Sequence, residues 1–269
     1  AGMMMASGND AANAAAFTVA GSSEKFADRM NERASQIGMK DTHFVTPSGL
    51  DDDNHYSTAY DMALLMSYAL ENDDFAKLTS QKSATVNFIN PADKKTTYAN
   101  HNKLLSLYDY CIGGKTGYTM AAGRCLVSAA QKDGLTLVCV TLNDRNDWND
   151  HISLYDYGFA NYTCFESKDT EYIIDVPCTG GTTDTTTVVG EKNMKIVLPA
   201  SDKEKIVRKV YCDSFLYAPI KENQPVGVIE YTLDNEILAS NNLIAMKEIN
   251  STKENKSIFT RIKELFTYG

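Results

Sequence analysis

A glycine-rich segment carrying a lysine and a threonine, Ile112-Gly113-Gly114-Lys115-Thr116-Gly117-Tyr118-Thr119, lies between two apolar runs. It restricts what this chain can fold into. Glycines weaken an extended stretch unless another backbone or a ligand must approach it closely. A lysine beside a hydroxyl can grip a carboxylate, with charge from the ammonium and a directed hydrogen bond from the hydroxyl. A phosphate loop ending in Gly114-Lys115-Thr116 would need glycine five positions before Gly114. That position is Asp109, which excludes it. A surface hairpin with a solvated lysine stays open on the triplet alone.

A second stretch shifts the balance. Ser7-Gly8-Asn9-Asp10 follows the helix-like Met3-Met4-Met5-Ala6. Ser-x-Asn upstream of Lys-Thr-Gly is the pairing of penicillin-recognising serine enzymes. Four segments together resemble the low-molecular-mass D-alanyl-D-alanine carboxypeptidases: Ser7-Gly8-Asn9-Asp10-Ala11-Ala12, His43-Phe44-Val45-Thr46-Pro47-Ser48-Gly49-Leu50, Ser57-Thr58-Ala59-Tyr60-Asp61-Met62-Ala63 and Gly113-Gly114-Lys115-Thr116-Gly117. The resemblance runs through nearly the whole chain. It implies an α+β fold: a β-lactamase/transpeptidase-like domain with an antiparallel sheet flanked by helices, lacking its N-terminal part, then a small all-β domain and a C-terminal amphipathic helix. The expected boundaries are 1–165, 166–249 and 250–269.

The resemblance also implies a chemistry. A serine attacks the amide between two terminal D-alanines of a peptidoglycan stem peptide, and the acyl-enzyme is then hydrolysed. Ser7 would relay a proton between the base and Lys115. Asn9 would hold the substrate's backbone amide. Lys115 and Thr116 would take the terminal carboxylate, with Gly117 beside them. The N–H of Tyr118 would be half of an oxyanion hole. No cofactor is implied, and β-lactams would bind the intact protein. A D,D-endopeptidase, a β-lactamase and a non-catalytic wall-binding protein are the alternatives.

The family's nucleophile lies on Ser-x-x-Lys well before Ser-x-Asn, and only six residues precede Ser7. The nucleophile is therefore expected to lie outside this sequence. The single Ser-x-x-Lys here, Ser22-Ser23-Glu24-Lys25, follows Ser-x-Asn. It opens a helix bearing Asp28, Arg29, Asn31, Glu32 and Arg33, a solvated face rather than a buried one.

A net charge of −9 argues against nucleic acid as a partner. The six cysteines show no Cys-x-x-Cys spacing, so zinc is not expected. Asp51-Asp52-Asp53 lacks the spacing and closing Glu of a calcium loop. After a polar linker, Ile258, Phe259, Ile262, Leu265 and Phe266 form an apolar stripe, with Lys256, Arg261 and Lys263 on other faces. The resemblance makes this segment an anchor on an anionic membrane surface rather than a helix docked on its own domain. It places the protein outside the cytoplasm, at the outer face of the cytoplasmic membrane.

Local signals predict the rest. Ser22 or Ser23 caps a helix ended by Gly38, and Thr58 with Asp61 forms a capping box for a helix to about Leu70. Strands at 125–130 and 135–142 join through Asp133-Gly134, with the Lys-Thr-Gly strand before them. A helix with Ile152, Tyr155, Phe159 and Tyr162 on one face follows. His55 is weighed as a cleft residue against a structural role. Without the family's N-terminal strands and nucleophile helix, the sheet is expected to show a bare edge and an uncovered apolar surface.

Overall fold

The alanine-rich start of the chain breaks where Ser7-Gly8-Asn9 interrupts it. The computed structural model describes residues 1–252. Helix α1 (Gly2–Ala6) ends at Ser7 in left-handed backbone (φ 51°, ψ 40°), and Gly8 precedes α2 (Asn9–Ala20). That conformation is uncommon for any residue but glycine, and here it turns the chain sharply between two helices. Helix α3 (Ser23–Gln36) is capped by Ser22, whose Oγ accepts the Lys25 N–H at 3.2 Å. Helix α4 (Ala59–Leu70) is capped by Thr58, whose Oγ1 accepts from the Asp61 N–H at 3.1 Å. The other half of the expected capping box is used differently. The buried Asp61 carboxylate accepts from the Asp41 N–H (2.8 Å) and the Thr42 hydroxyl (2.7 Å), tying the preceding loop to α4. Helix α5 (Asp73–Thr79), capped by Asn72, is too short to show an apolar period in sequence.

Strands β1 (Ser83–Asn87) and β2 (Lys95–Ala99) form a hairpin, and the one-turn helix α6 (Leu104–Leu107) follows. The central sheet has three antiparallel strands in sequence order: β3 (Cys111–Thr119), β4 (Gly123–Lys132) and β5 (Leu135–Thr141). Asp133 and Gly134, both at positive φ, close the β4–β5 hairpin. Both β3 and β5 are edge strands of this sheet. Helix α7 (Asp147–Asn161) lies on it through His151, Tyr155 and Gly158. Tyr155 and the partly buried Phe159 face the core as read in sequence, with Ile152 half-buried beside them, whereas Tyr162 is an exposed residue that starts a strand. His151 joins that face through hydrogen bonds. Ser128 Oγ on β4 bonds both His151 Nδ1 and the Tyr155 hydroxyl at 2.7 Å, and Thr141 Oγ1 bonds His151 Nε2 at 3.1 Å. Buried hydroxyls select polar-tipped partners over a purely apolar face. These helices and strands form the first unit, Ala1–Asn161.

The second unit begins at Tyr162. Strands β6 (Tyr162–Glu166) and β9 (Lys195–Pro199) pair antiparallel. The other strands are β7 (Ile174–Thr179), β8 (Thr185–Gly190), β10 (Val207–Cys212), β11 (Leu216–Tyr217), β12 (Pro225–Leu233) and β13 (Glu236–Ala245), in the sheet order β10-β12-β13-β8-β7-β11. Val188, Ile229, Tyr231, Leu243 and Ala245 are fully buried in its core. Asp169 is buried among them as a charged post. It accepts from Arg208 (3.0 and 3.1 Å), the Tyr231 hydroxyl (2.6 Å) and Asn241 (2.9 Å). All six cysteines are free thiols. The amphipathic segment expected near 257–268 lies outside the described residues.

Candidate active site

The Gly-Gly pair before Lys115 is required by packing. A Cβ on Gly113 would stand 2.4 Å from Thr79 Cγ2, and one on Gly114 would stand 2.6 Å from the Val127 carbonyl and 2.8 Å from Asn102 Nδ2. Thr79 Oγ1 bonds both the Gly114 N–H (2.9 Å) and its carbonyl (2.8 Å), which pins the strand to the end of α5. Gly117 differs. A Cβ there would meet nothing nearer than Cys125 Cβ at 3.8 Å, an ordinary contact. The fold has room for a side chain at Gly117, so its absence keeps space clear in front of the strand.

That space is a cleft of about 960 Å³, lined by Ser7, Asn9, Lys115, Thr116, Gly117 and Tyr118 among others. The structure thus brings together residues from the α1–α2 turn and from β3 that lie more than a hundred positions apart. Lys115 Nζ donates to Ser7 Oγ and, at 2.5 Å, to the Thr116 carbonyl. Burial holds its ammonium below the usual lysine range, and among the described residues no carboxylate pairs with it. A poised lysine bonded to a serine hydroxyl is equipped to pass a proton.

Other residues are placed as structural. His55 Nδ1 accepts from the Val45 and Thr46 N–H groups (3.1 and 3.3 Å), and His55 does not line the cleft. Ser22 is spent as a helix cap, with Lys25 exposed. Ser128 and His151 form a Ser–His pair, but both are fully buried, and burial drives the imidazole to about 4. No substrate reaches that serine. The pair is a packing element.

The far end of the cleft holds residues that sequence reading missed. Arg124 on β4 donates from Nε (3.1 Å) and Nη2 (2.7 and 2.8 Å) to the buried Asp147 at the start of α7, and its guanidinium lies over the Trp148 ring at 5.6 Å. Asp147, holding the guanidinium, keeps it firmly charged. The available signal was the position of Arg124 immediately after the Gly123 turn that returns from Lys-Thr-Gly.

Behind the strand lies an apolar cavity of about 390 Å³, lined by Met4, Met62, Leu65, Met66, Phe75, Leu126 and Val127 with Lys115 at its rim.

The model of the peptidase S11 family, D-alanyl-D-alanine carboxypeptidase, matches residues 1–146, and that of the penicillin-binding protein 5 C-terminal domain matches 162–251. The chain is 28% identical to D-alanyl-D-alanine carboxypeptidase DacF of Bacillus subtilis, over 92% of this chain and 64% of the relative. It is 31% identical to DacA of Haemophilus influenzae, over 92% and 63%. It therefore spans somewhat less than two thirds of these relatives. Among solved structures, penicillin binding protein 5 of Haemophilus influenzae superposes with a TM-score of 0.70 at 29% identity, covering 93% of this chain and 73% of that one. Penicillin binding protein 6B of Escherichia coli gives 0.63 at 28%, covering 90% and 67%. With a family model matching more than half its length, and the Ser-x-Asn and Lys-Thr-Gly residues meeting in one cleft, this chain belongs to the D-alanyl-D-alanine carboxypeptidase family of serine peptidases.

Proposed function

We propose that the protein to which this chain belongs is a serine D,D-carboxypeptidase that removes the terminal D-alanine of peptidoglycan stem peptides through an acyl-enzyme. The observation that carries the reading is the Lys115–Ser7 hydrogen bond inside a cleft that also holds Asn9, Thr116 and Tyr118. Ser7 and Lys115 pass a proton to the leaving amine. Asn9, exposed at the start of α2, bonds the substrate's backbone amide. Thr116, and Lys115 through its charge, take the terminal carboxylate. The Tyr118 N–H supplies half of the oxyanion hole, a donor whose loss typically costs about 2.7–4 kcal/mol of transition-state stabilisation.

The attacking serine belongs to a Ser-x-x-Lys segment upstream of Ala1, which also supplies the other half of that hole. The apolar cavity behind β3 supports this: a buried helix carrying the nucleophile would fill it and bring its hydroxyl to Lys115. Penicillins acylate the same serine. The substrate places the enzyme outside the cytoplasm. Among the described residues no helix is long and apolar enough to cross a membrane. Residues 257–268 attach it to the anionic membrane surface, through an apolar stripe and flanking basic side chains, each modest alone.

The test is release of D-alanine from an acylated peptide ending in D-Ala-D-Ala, by a protein that includes the upstream segment. No release, with the protein folded, would leave a wall-binding role instead. Liposome sedimentation with and without residues 257–269 tests attachment, and equal sedimentation retires it.

A further inference from the structure

Strand alternation holds two aromatic rings outside the second unit. Leu216 of β11 is buried in the core with Val176 and Ile220, so Phe215 and Tyr217, its neighbours on either side, stand outward. They are 46% and 69% exposed, and their rings meet edge to face with centroids 5.2 Å apart. The pair cannot turn inward without drawing Leu216 out of the core. Single apolar residues on a surface are ordinary, whereas two rings fixed together form a patch.

The patch sits beside Thr252, the last of the described residues. Tyr217 stands opposite Thr179 in the β7–β11 register, and the Ala218 N–H bonds the Thr179 carbonyl at 3.0 Å. The carbonyl of the next residue, Gly180, accepts from the Thr252 N–H (2.9 Å) and hydroxyl (3.2 Å). The approach to Thr252 is fastened on both sides. Ile249 exchanges backbone bonds with Ile220 (2.8 and 2.9 Å), and the Asn250 carbonyl accepts the Thr182 N–H (2.9 Å). A Cβ on Gly180 would meet nothing within 4 Å, so no group crowds that turn. Residues 253–269 therefore continue from a point one position along from Thr179, the residue paired with Tyr217.

We propose that Phe215 and Tyr217 are a second membrane contact, seated in the lipid interface beside the point from which the C-terminal segment continues. This rests on the attachment of residues 257–268 proposed above. An apolar stripe with a few basic side chains attaches weakly and reversibly by itself, and a second signal turns such attachment into stable anchoring. Tyrosine suits the interface because its ring is apolar and its hydroxyl is not. One tether leaves the second unit free to swing, whereas two contacts at the same end fix its orientation to the membrane.

The experiment sediments the full chain with vesicles of phosphatidylcholine and phosphatidylglycerol in equal parts. Wild type is compared with Phe215→Ser/Tyr217→Ser and with Ile173→Ser, each checked by its melting curve. Ile173, 62% exposed just before β7, lies about 20 Å along the strand from Thr179 and serves as the control. The double variant is expected to need at least about 5-fold more lipid for half-maximal binding, and Ile173→Ser no more than wild type. A second measurement keeps the aromatic ring: Tyr217→Trp in a Trp148→Phe background, Trp148 being the one tryptophan. Its emission is expected to shift to the blue when vesicles are added and to be quenched by brominated lipid. A double variant that binds like wild type, an Ile173→Ser variant weakened equally, or an emission that vesicles leave unchanged overturns the aromatic contact and leaves the attachment of 257–268 standing. Emission already blue without lipid also overturns it, because the rings are then covered by the chain's own end or by a second copy. A wild type that does not sediment retires attachment and contact together.

Discussion

Lys115 Nζ donates a hydrogen bond to Ser7 Oγ across 108 positions of sequence. Among the described residues no other side-chain hydrogen bond links the α1–α2 turn to β3, and the bond joins the two motifs into one site. Its consequences can be tested separately from turnover.

Labelling with a fluorescent penicillin should leave this chain without a stoichiometric adduct. Acylation needs a serine activated by a base, with an oxyanion hole facing the reacting carbonyl. Ser7 faces a protonated donor, and Ser22 is a helix cap beside the exposed Lys25. Mass spectrometry after denaturing electrophoresis reads the outcome. An adduct on Ser22 or Ser7 would refute its assigned role, whereas labelling that follows addition of the upstream segment supports the proposed mechanism.

Gly114 and Gly117 should separate by stability. Gly114→Ala forces a Cβ against the Val127 carbonyl and Asn102, and overpacking of this kind costs about 1–3 kcal/mol. Gly117→Ala meets only an ordinary contact and should unfold within about 0.5 kcal/mol of wild type, yet impair penicillin acylation in the intact enzyme. Urea titration checks the first part. Equal destabilisation by the two changes would show that Gly117 also serves packing.

Lys115 should cost the fold stability at neutral pH. Burial lowers its folded-state value, while the unfolded chain keeps the ordinary one of about 10.4. Between those values the unfolded state binds more protons, so stability rises with pH across that window. Lys115→Met is expected to melt at a higher temperature than wild type at pH 7 while abolishing D-alanine release by the intact enzyme. A lower melting temperature would mean that the bonds to Ser7 and Thr116 outweigh the burial cost.

Acid should weaken the first unit through His151. Its folded value is about 4, against about 6.5 unfolded, because burial disfavours the imidazolium. The unfolded chain takes up the proton first, so stability falls as pH drops from about 6.5 towards 4, by roughly 3 kcal/mol in all. His151→Gln should flatten that slope. Unfolding followed by Trp148 fluorescence at several pH values reads it, and an unchanged slope would assign the acid sensitivity elsewhere.

Asp169→Asn should destabilise the second unit by about 3–5 kcal/mol, because it leaves Arg208 without its buried partner. Burial pushes the Asp169 carboxyl up, but bonds from Tyr231, Asn241 and Arg208 outweigh it and hold the group below the usual range. Its contribution is therefore present above the unfolded value of about 3.9 and is lost as pH falls through the folded one. Thermal unfolding of the variant, followed by near-ultraviolet circular dichroism of the tyrosine-rich chain, measures the loss. A shift of under 1 kcal/mol would mean that the hydrogen bonds alone suffice.

What sequence alone determined here is local or carried by motif. The Ser22 and Thr58 caps, the Asp133-Gly134 hairpin and the break at Ser7-Gly8-Asn9 depend on a few neighbouring residues, whose side-chain and backbone preferences act over one turn. The family likeness follows from the same segments read together. Tertiary structure decided what depends on partners distant in the chain. Gly113 and Gly114 prove to be packing glycines and Gly117 a clearance glycine only once Thr79, Asn102 and Val127 are in place around them. The inward face of α7 takes in His151 beside the predicted Tyr155 and Phe159 because hydroxyls on β4 and β5 bond it, which an apolar period does not encode. Nothing in the sequence singled out Arg124; Asp147, twenty-three positions on, fixes its guanidinium at the cleft. A side chain's charge is written in sequence, but the direction in which it points is set by whichever buried group it meets.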